Sequence, residues 1–172
     1  LALMGEYETS DDETYKVQVT VNPKEKTIRI EDNGLGMTED EVDEYINQIA
    51  FSGAEEFLEK YKNQTIIGHF GLGFYSAFMV SDKVEIVTRS YKEGSKTMHW
   101  TCDGSPEYTM EEASTERSRG TDVILHLSED SKEFADKARI REILKKYCSF
   151  LPVPIAFGKK QEWKDGKYVD TD

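Results

Sequence analysis

Three short stretches of the chain combine residue types and spacings that can do chemistry. The first is Asp32-x-Gly34-x-Gly36, after a strand-like run and before a capped helix. Two glycines there remove side chains, so a flat ligand can approach the backbone. Asp32 ends the strand, where its carboxylate can accept a hydrogen bond from an amino group such as the 6-amino group of adenine. The competing reading is an Asx turn, with Asp32 bonding its own backbone two residues on. The second stretch is Gly68-x-x-Gly71-x-Gly73, which opens an apolar helix. Backbone N–H groups at a glycine-rich helix start bind phosphate by direct hydrogen bonds and through the helix dipole. The third is Arg119-Gly120-Thr121, where the Thr121 hydroxyl can bond a base or a water. Alone, that stretch reads better as a turn glycine before a strand.

Two familiar phosphate motifs do not fit. No Lys-Ser/Thr follows the last glycine of the second cluster, which excludes a Walker A loop. Gly71 to Ser76 resembles a dinucleotide fingerprint only superficially. Its third glycine is Ser76, its preceding strand (Thr65 to Ile67) is short, and its helix is too brief for a crossover.

Local pattern supplies the elements that must position these residues. Val17, Val19 and Val21 alternate along one strand, Thr27 to Ile30 forms a second, and Asn22-Pro23-Lys24 turns between them, which predicts a hairpin. Thr38 and Glu41 form a capping box ahead of Val42, Tyr45, Ile46 and Ile49, an amphipathic face. Ser52 and Glu55 open a second capped helix. A short apolar helix ends near Val80. Four β-like runs follow (84–90, 96–102, 107–110 and 121–127) and predict an antiparallel meander. A long helix is expected over 131–149, with Ile140, Ile143, Leu144 and Tyr147 on one face, and an edge strand over 153–157. Helices and strands are segregated, so the fold class is α+β, one mixed sheet covered on one face by helices.

Composition bounds the rest. The 172 residues make one domain, or one domain and part of a second, and nineteen aromatics are too many for a disordered chain. Lys+Arg is 22 against Asp+Glu 34, a net charge of −12, which argues against nucleic acid and anionic membranes as partners. No apolar run reaches transmembrane length. Cys102 and Cys148 and the three histidines show no metal-ligand spacing, which leaves reduced cytosolic thiols as the expectation and no metal site. The opening LALMGEYETS lacks the features of a signal peptide. His69, inside the second glycine cluster, reads as a phosphate donor or as a loop residue without chemistry.

Asp32 to Thr38, Ile49 to Gly53, Ile67 to Ser76 and Arg119 to Thr121 together resemble the N-terminal ATP-binding domain of the heat-shock protein 90 family, its bacterial form above all. The likeness runs in order through nearly the whole chain. It implies a two-layer α/β sandwich of the Bergerat (GHKL) type, with residues 1–172 as one nucleotide-binding domain. It also implies that Asp32 bonds the adenine amino group, assisted through water by Thr121, with Gly36 among the nucleotide-binding residues. Met37 and Phe74 would line the base and sugar pocket, and Gly71, Leu72 and Gly73 would meet the phosphates. Residues 52–68 would be a lid. ATP or ADP with Mg²⁺ is the implied cofactor. Unfolded client proteins and a second copy of the chain are the implied partners, and the cytoplasm the implied site of an ATP-dependent chaperone with weak ATPase activity.

Three departures accompany the resemblance. The family's general-base Glu and magnesium-holding Asn lie on a helix ahead of the first signature, and residues 1–14 hold no Glu-x-x-x-Asn pair. The chain is therefore expected to be an inactive fragment. Phe51 stands where many members carry a Lys that touches the terminal phosphate. The lid is short. The alternatives are a nucleotide- or protein-binding module without turnover and another GHKL ATPase.

Overall fold

A computed structural model describes residues 14–47, 74–105, 107–164 and 167–171, with the backbone alone from residue 160. The second capped helix, the lid, Phe51, His69 and the Gly68–Gly73 cluster lie outside the described residues.

The alternating valines of β1 (Val17–Asn22) pair antiparallel with β2 (Thr27–Asp32), as the hairpin pattern predicts. Five more strands complete a seven-stranded sheet: β3 (Ser81–Arg89), β4 (Thr97–Cys102), β5 (Tyr108–Glu112), β6 (Gly120–Leu127) and β7 (Ile155–Phe157). The spatial order is β5-β4-β3-β6-β2-β1-β7, and β7 alone runs parallel to its neighbour. The sheet is thus mixed, as expected. The expected four-strand meander holds only for β3, β4 and β5. Strand β6 returns past β3 and inserts between it and β2, a long-range pairing that local pattern does not encode. A further hairpin, β8 (Lys160–Lys164) with β9 (Lys167–Thr171), had no counterpart in the sequence reading.

Directly paired residues of an antiparallel sheet share a face, so alternate residues of all central strands form one inner, helix-covered face. Two apolar clusters lie on it. Val19, Val21, Ile28 and Leu127 pack with Ile140 of α2 (Lys137–Tyr147). Val84, Ile86 and Trp100 pack with Val42 of α1 (Glu39–Val42), and Leu125 borders both clusters. Between them Ile30, opposite Val123 on the same face, keeps 38% of its surface exposed.

Helix α1 has the expected capping box: Glu41 N–H donates to Thr38 Oγ1 and Thr38 N–H donates to Glu41 Oε2. It then widens into a π-helical turn over Asp43–Asn47. There Trp100 Nε1–H donates to Asn47 Oδ1 at 2.9 Å, and Asn47 Nδ2–H to Asp43 Oδ1, tying the turn to the sheet. The short apolar helix before Val80 is 3₁₀ (Phe74–Met79), with Met79 82% exposed.

The long helix expected over 131–149 is broken. Glu129–Ala135 is 3₁₀, and Asp136 takes an extended conformation and caps α2 through Arg139 N–H. An Asp side chain competes for backbone donors, and here it starts a new helix rather than continuing one. Tyr147, placed on the apolar face by spacing, is 58% exposed instead.

Candidate functional site

Asp32 is the last residue of β2 and lies opposite Thr121 on β6; Thr121 in turn lies opposite Thr88 on β3. Three strands thus align Asp32, Thr121 and Thr88 in one row across the inner face, next to exposed Ile30. The Asx reading of Asp32 is realised, since its Oδ1 accepts the Gly34 N–H at 2.7 Å. Oδ2 receives no hydrogen bond from the described residues. One carboxylate oxygen therefore shapes the turn, and the other is unbonded among the described residues.

The loop after Asp32 is held in place by its backbone. Gly36 has φ +65°, and a Cβ there would overlap the Arg89 carbonyl. Tyr91 N–H donates to Leu35 O at 2.7 Å, and Met37 N–H donates to Thr88 Oγ1 at 2.9 Å. Gly36 is thus required for close approach to the end of β3. Gly120 is not a mere turn residue. It opens β6 at φ +122°, and a Cβ would overlap the Asp32 carbonyl.

Two arginines grip the same loop. Arg117 Nη2 donates to Asp32 O at 3.1 Å and Arg117 Nη1 to Val87 O at 3.0 Å. Arg119 Nη1 donates to Asn33 O and Gly34 O, and its guanidinium lies over the Tyr15 ring. Arg117 also pairs, at 2.9 Å, with Asp122, which is buried and bonded at 2.5 Å by Arg29. Sequence reasoning missed Arg117, Thr88 and the anchoring role of Arg119. All three act between segments distant along the chain, and only the Arg-x-Arg-Gly spacing hinted at them.

Met37 and Phe74 both pack against the Val42–Ile86–Trp100 cluster, and the Phe74 ring meets Trp100 edge-on at 5.7 Å. Asp32, Gly36, Met37 and Thr121 are therefore brought together through β2, β3 and β6, and Phe74 packs against the same apolar cluster as Met37. Gly71, Leu72 and Gly73 lie outside the described residues. No group of three or more His, Cys, Asp or Glu able to hold a metal occurs among the described residues.

A search of protein families matches residues 9–133 to the histidine kinase-, DNA gyrase B- and HSP90-like ATPases. The chain belongs to that ATPase family. Its α+β sheet with helices on one face is the architecture the resemblance implied. Within the family the chain groups with the bacterial heat-shock protein 90 branch. It is 65% identical over 155 residues to chaperone protein HtpG of Bacteroides fragilis, covering 89% of this chain and 23% of that protein. It is 57% identical to the HtpG proteins of Bacteroides thetaiotaomicron (99% of this chain, 25% of that protein) and Porphyromonas gingivalis (100% and 25%). The chain spans about a quarter of the length of these relatives. No helix among the described residues is long and apolar enough to cross a membrane.

Proposed function

We propose that the chain is the ATP- and ADP-binding domain of an ATP-dependent chaperone of the heat-shock protein 90 type. One observation carries this reading: the Asp32 carboxylate, whose Oδ2 takes no hydrogen bond from the described residues, lies in register with Thr121 across β2 and β6, on an inner face left partly uncovered at Ile30. Such a pair suits an exocyclic amino group set against an apolar wall, which is the chemistry of adenine. Met37 and Phe74 form part of the wall, and the phosphates are assigned to the backbone amides of Gly71, Leu72 and Gly73. Residues 52–68 act as the lid that encloses the nucleotide and excludes water.

Hydrolysis belongs to the whole protein. Its general-base Glu and its Mg²⁺ ligand are assigned to the helix that the family carries ahead of the Asp32 signature. General-base catalysis contributes typically ~10²–10⁴-fold, so the 172 residues alone bind nucleotide without turnover. In the whole protein, a homodimer in the cytoplasm, nucleotide binding and release shift a conformational equilibrium and so act on unfolded client proteins. The names of the relatives support the chaperone activity.

The test is ADP titration followed by thermal unfolding, then phosphate release from ATP, on the 172-residue chain and on the full-length protein. ADP should raise the midpoint of both, and only the full-length protein should release phosphate. An unmoved midpoint in both would reject the reading.

A further inference from the structure

Helix α2 carries Lys137, Arg139, Arg141, Lys145 and Lys146 against the single carboxylate of Glu142, in a chain whose net charge is −12. Arg139 is paired, with Glu133 and Glu142. Arg141, Lys145 and Lys146 pair with no carboxylate among the described residues. Two lysines in the last turn suit the negative end of the helix dipole. That does not account for Arg141, which lies one turn earlier on the same face as Lys145. Like charges at this spacing repel and weaken a helix, and an anion set between them removes the repulsion.

Both side chains rim an apolar cleft of about 540 Å³ between α2 and β7, walled by Leu144, Leu151, Val153, Ile155 and Phe157. The Arg141 guanidinium lies over the Phe157 ring, 5.8 Å from its centre, which holds the charge at the cleft. Val153 keeps 36% of its surface exposed and Phe150, in the turn after α2, 77%. Apolar surface gathered in one patch marks an interaction site, whereas single exposed residues do not. Strand β7 is the last of the seven-stranded sheet, and its outer edge pairs with no strand among the described residues.

We propose that the α2–β7 cleft docks an acidic, extended segment of another protein, in which apolar side chains alternate with carboxylates. The apolar side chains occupy the cleft between Leu144 and Phe157, and the carboxylates meet Arg141 and Lys145. Extended backbone runs beside β7, the mode in which a peptide joins a sheet edge. Charge sets the choice of partner. A basic segment is drawn to the acidic surface at large, whereas an acidic one is repelled by that surface and attracted at this rim. The cleft shares no residue with the Asp32–Thr121–Thr88 row, so the inference is independent of the nucleotide reading.

Fluorescence anisotropy on the full-length protein tests this, with a fluorescein-labelled peptide of alternating Leu and Glu and a second of alternating Leu and Lys. The acidic peptide should bind about ten-fold more tightly than the basic one, and its affinity should fall as salt rises. Arg141→Glu combined with Lys145→Glu should weaken it by about ten-fold or more, the scale of one lost charge-assisted contact. Val153→Asp, which sets an acid in the apolar wall, should also weaken it. Lys24→Glu, a charge reversal in the exposed β1–β2 turn, should leave it unchanged. ADP affinity and the unfolding midpoint should stay at wild type in the charge variants, which a merely structural role for Arg141 and Lys145 would not allow. If the double variant does not fold, Lys145→Glu alone must weaken the acidic peptide. Equal affinity for the two peptides, or an acidic peptide unaffected by the charge reversals, would overturn the proposal. Binding to the 172-residue chain but not to the full-length protein would overturn it too, because the cleft would then hold the protein's own remaining chain. Self-association that the charge reversals abolish, read by sedimentation velocity, would assign the cleft to a second copy and equally overturn it.

Discussion

Gly36 shows how a single position can hold the site. Its positive φ and its contact with the Arg89 carbonyl leave no room for a side chain. Gly36→Ala should cost about 3 kcal/mol, combining left-handed strain with overpacking, read as a lower urea midpoint. Glu85, on the outer face of β3, carries a different kind of constraint. Burial pushes its carboxyl up, but hydrogen bonds from Lys83, His99 and His126 outweigh that and hold it down at about 2. A carboxyl depressed in the fold stabilises above its unfolded value of 4.5 and loses that contribution as pH falls toward about 2. Glu85→Gln should therefore be less stable than wild type near neutrality, with the difference shrinking between pH 4.5 and 2. Urea unfolding across that range checks it; a constant difference would mean that the ion cluster contributes nothing. The Asp32 turn was readable from sequence because an Asx bond is local. That the second oxygen takes no hydrogen bond from the described residues was not, because it depends on which strands surround it.

At the scale of elements, α1 is only one turn long, so its ends matter more than its interior. Thr38→Ala removes the capping box and should cost about 1 kcal/mol. Because Met37 precedes the cap, the same variant should weaken ADP binding modestly, and parallel unfolding and titration measurements would show both. Trp100→Phe should cost ~1–3 kcal/mol, since it leaves the buried Asn47 Oδ1 without its donor. The capping box and the β1–β2 hairpin were legible because both arise from residues within a few positions of each other. The break at Asp136 was not, since a 3.6-residue apolar period continues across it and only the cap geometry reveals the new start. The insertion of β6 between β3 and β2 was also hidden. That register sets Asp32, Thr121 and Thr88 in line, so the sequence offered the site's residues but not the row they form.

Over the whole molecule, one sheet separates two environments. The inner face carries the apolar clusters and the Asp32–Thr121–Thr88 row, and the outer face carries ion pairs such as Lys83–Glu85 and Arg29–Asp122. The net charge of −12 makes the surface unfavourable for polyanions, so a negatively charged nucleotide must be held by local amides and directed hydrogen bonds rather than by a general positive field. A ligand that binds only the folded domain stabilises it, by about 2.7 kcal/mol at a hundred-fold excess over Kd. ADP at that excess should raise the unfolding free energy by this amount. The claim beneath all of this is that the Asp32 carboxylate grips an amino group of adenine. Calorimetric titration of ADP into the full-length protein and its Asp32→Asn variant tests it most directly. An Asn that turns its NH₂ toward the amino group should reduce affinity at least a hundred-fold while the unfolding midpoint without ligand stays near wild type. Equal ADP affinity in the two proteins would contradict it.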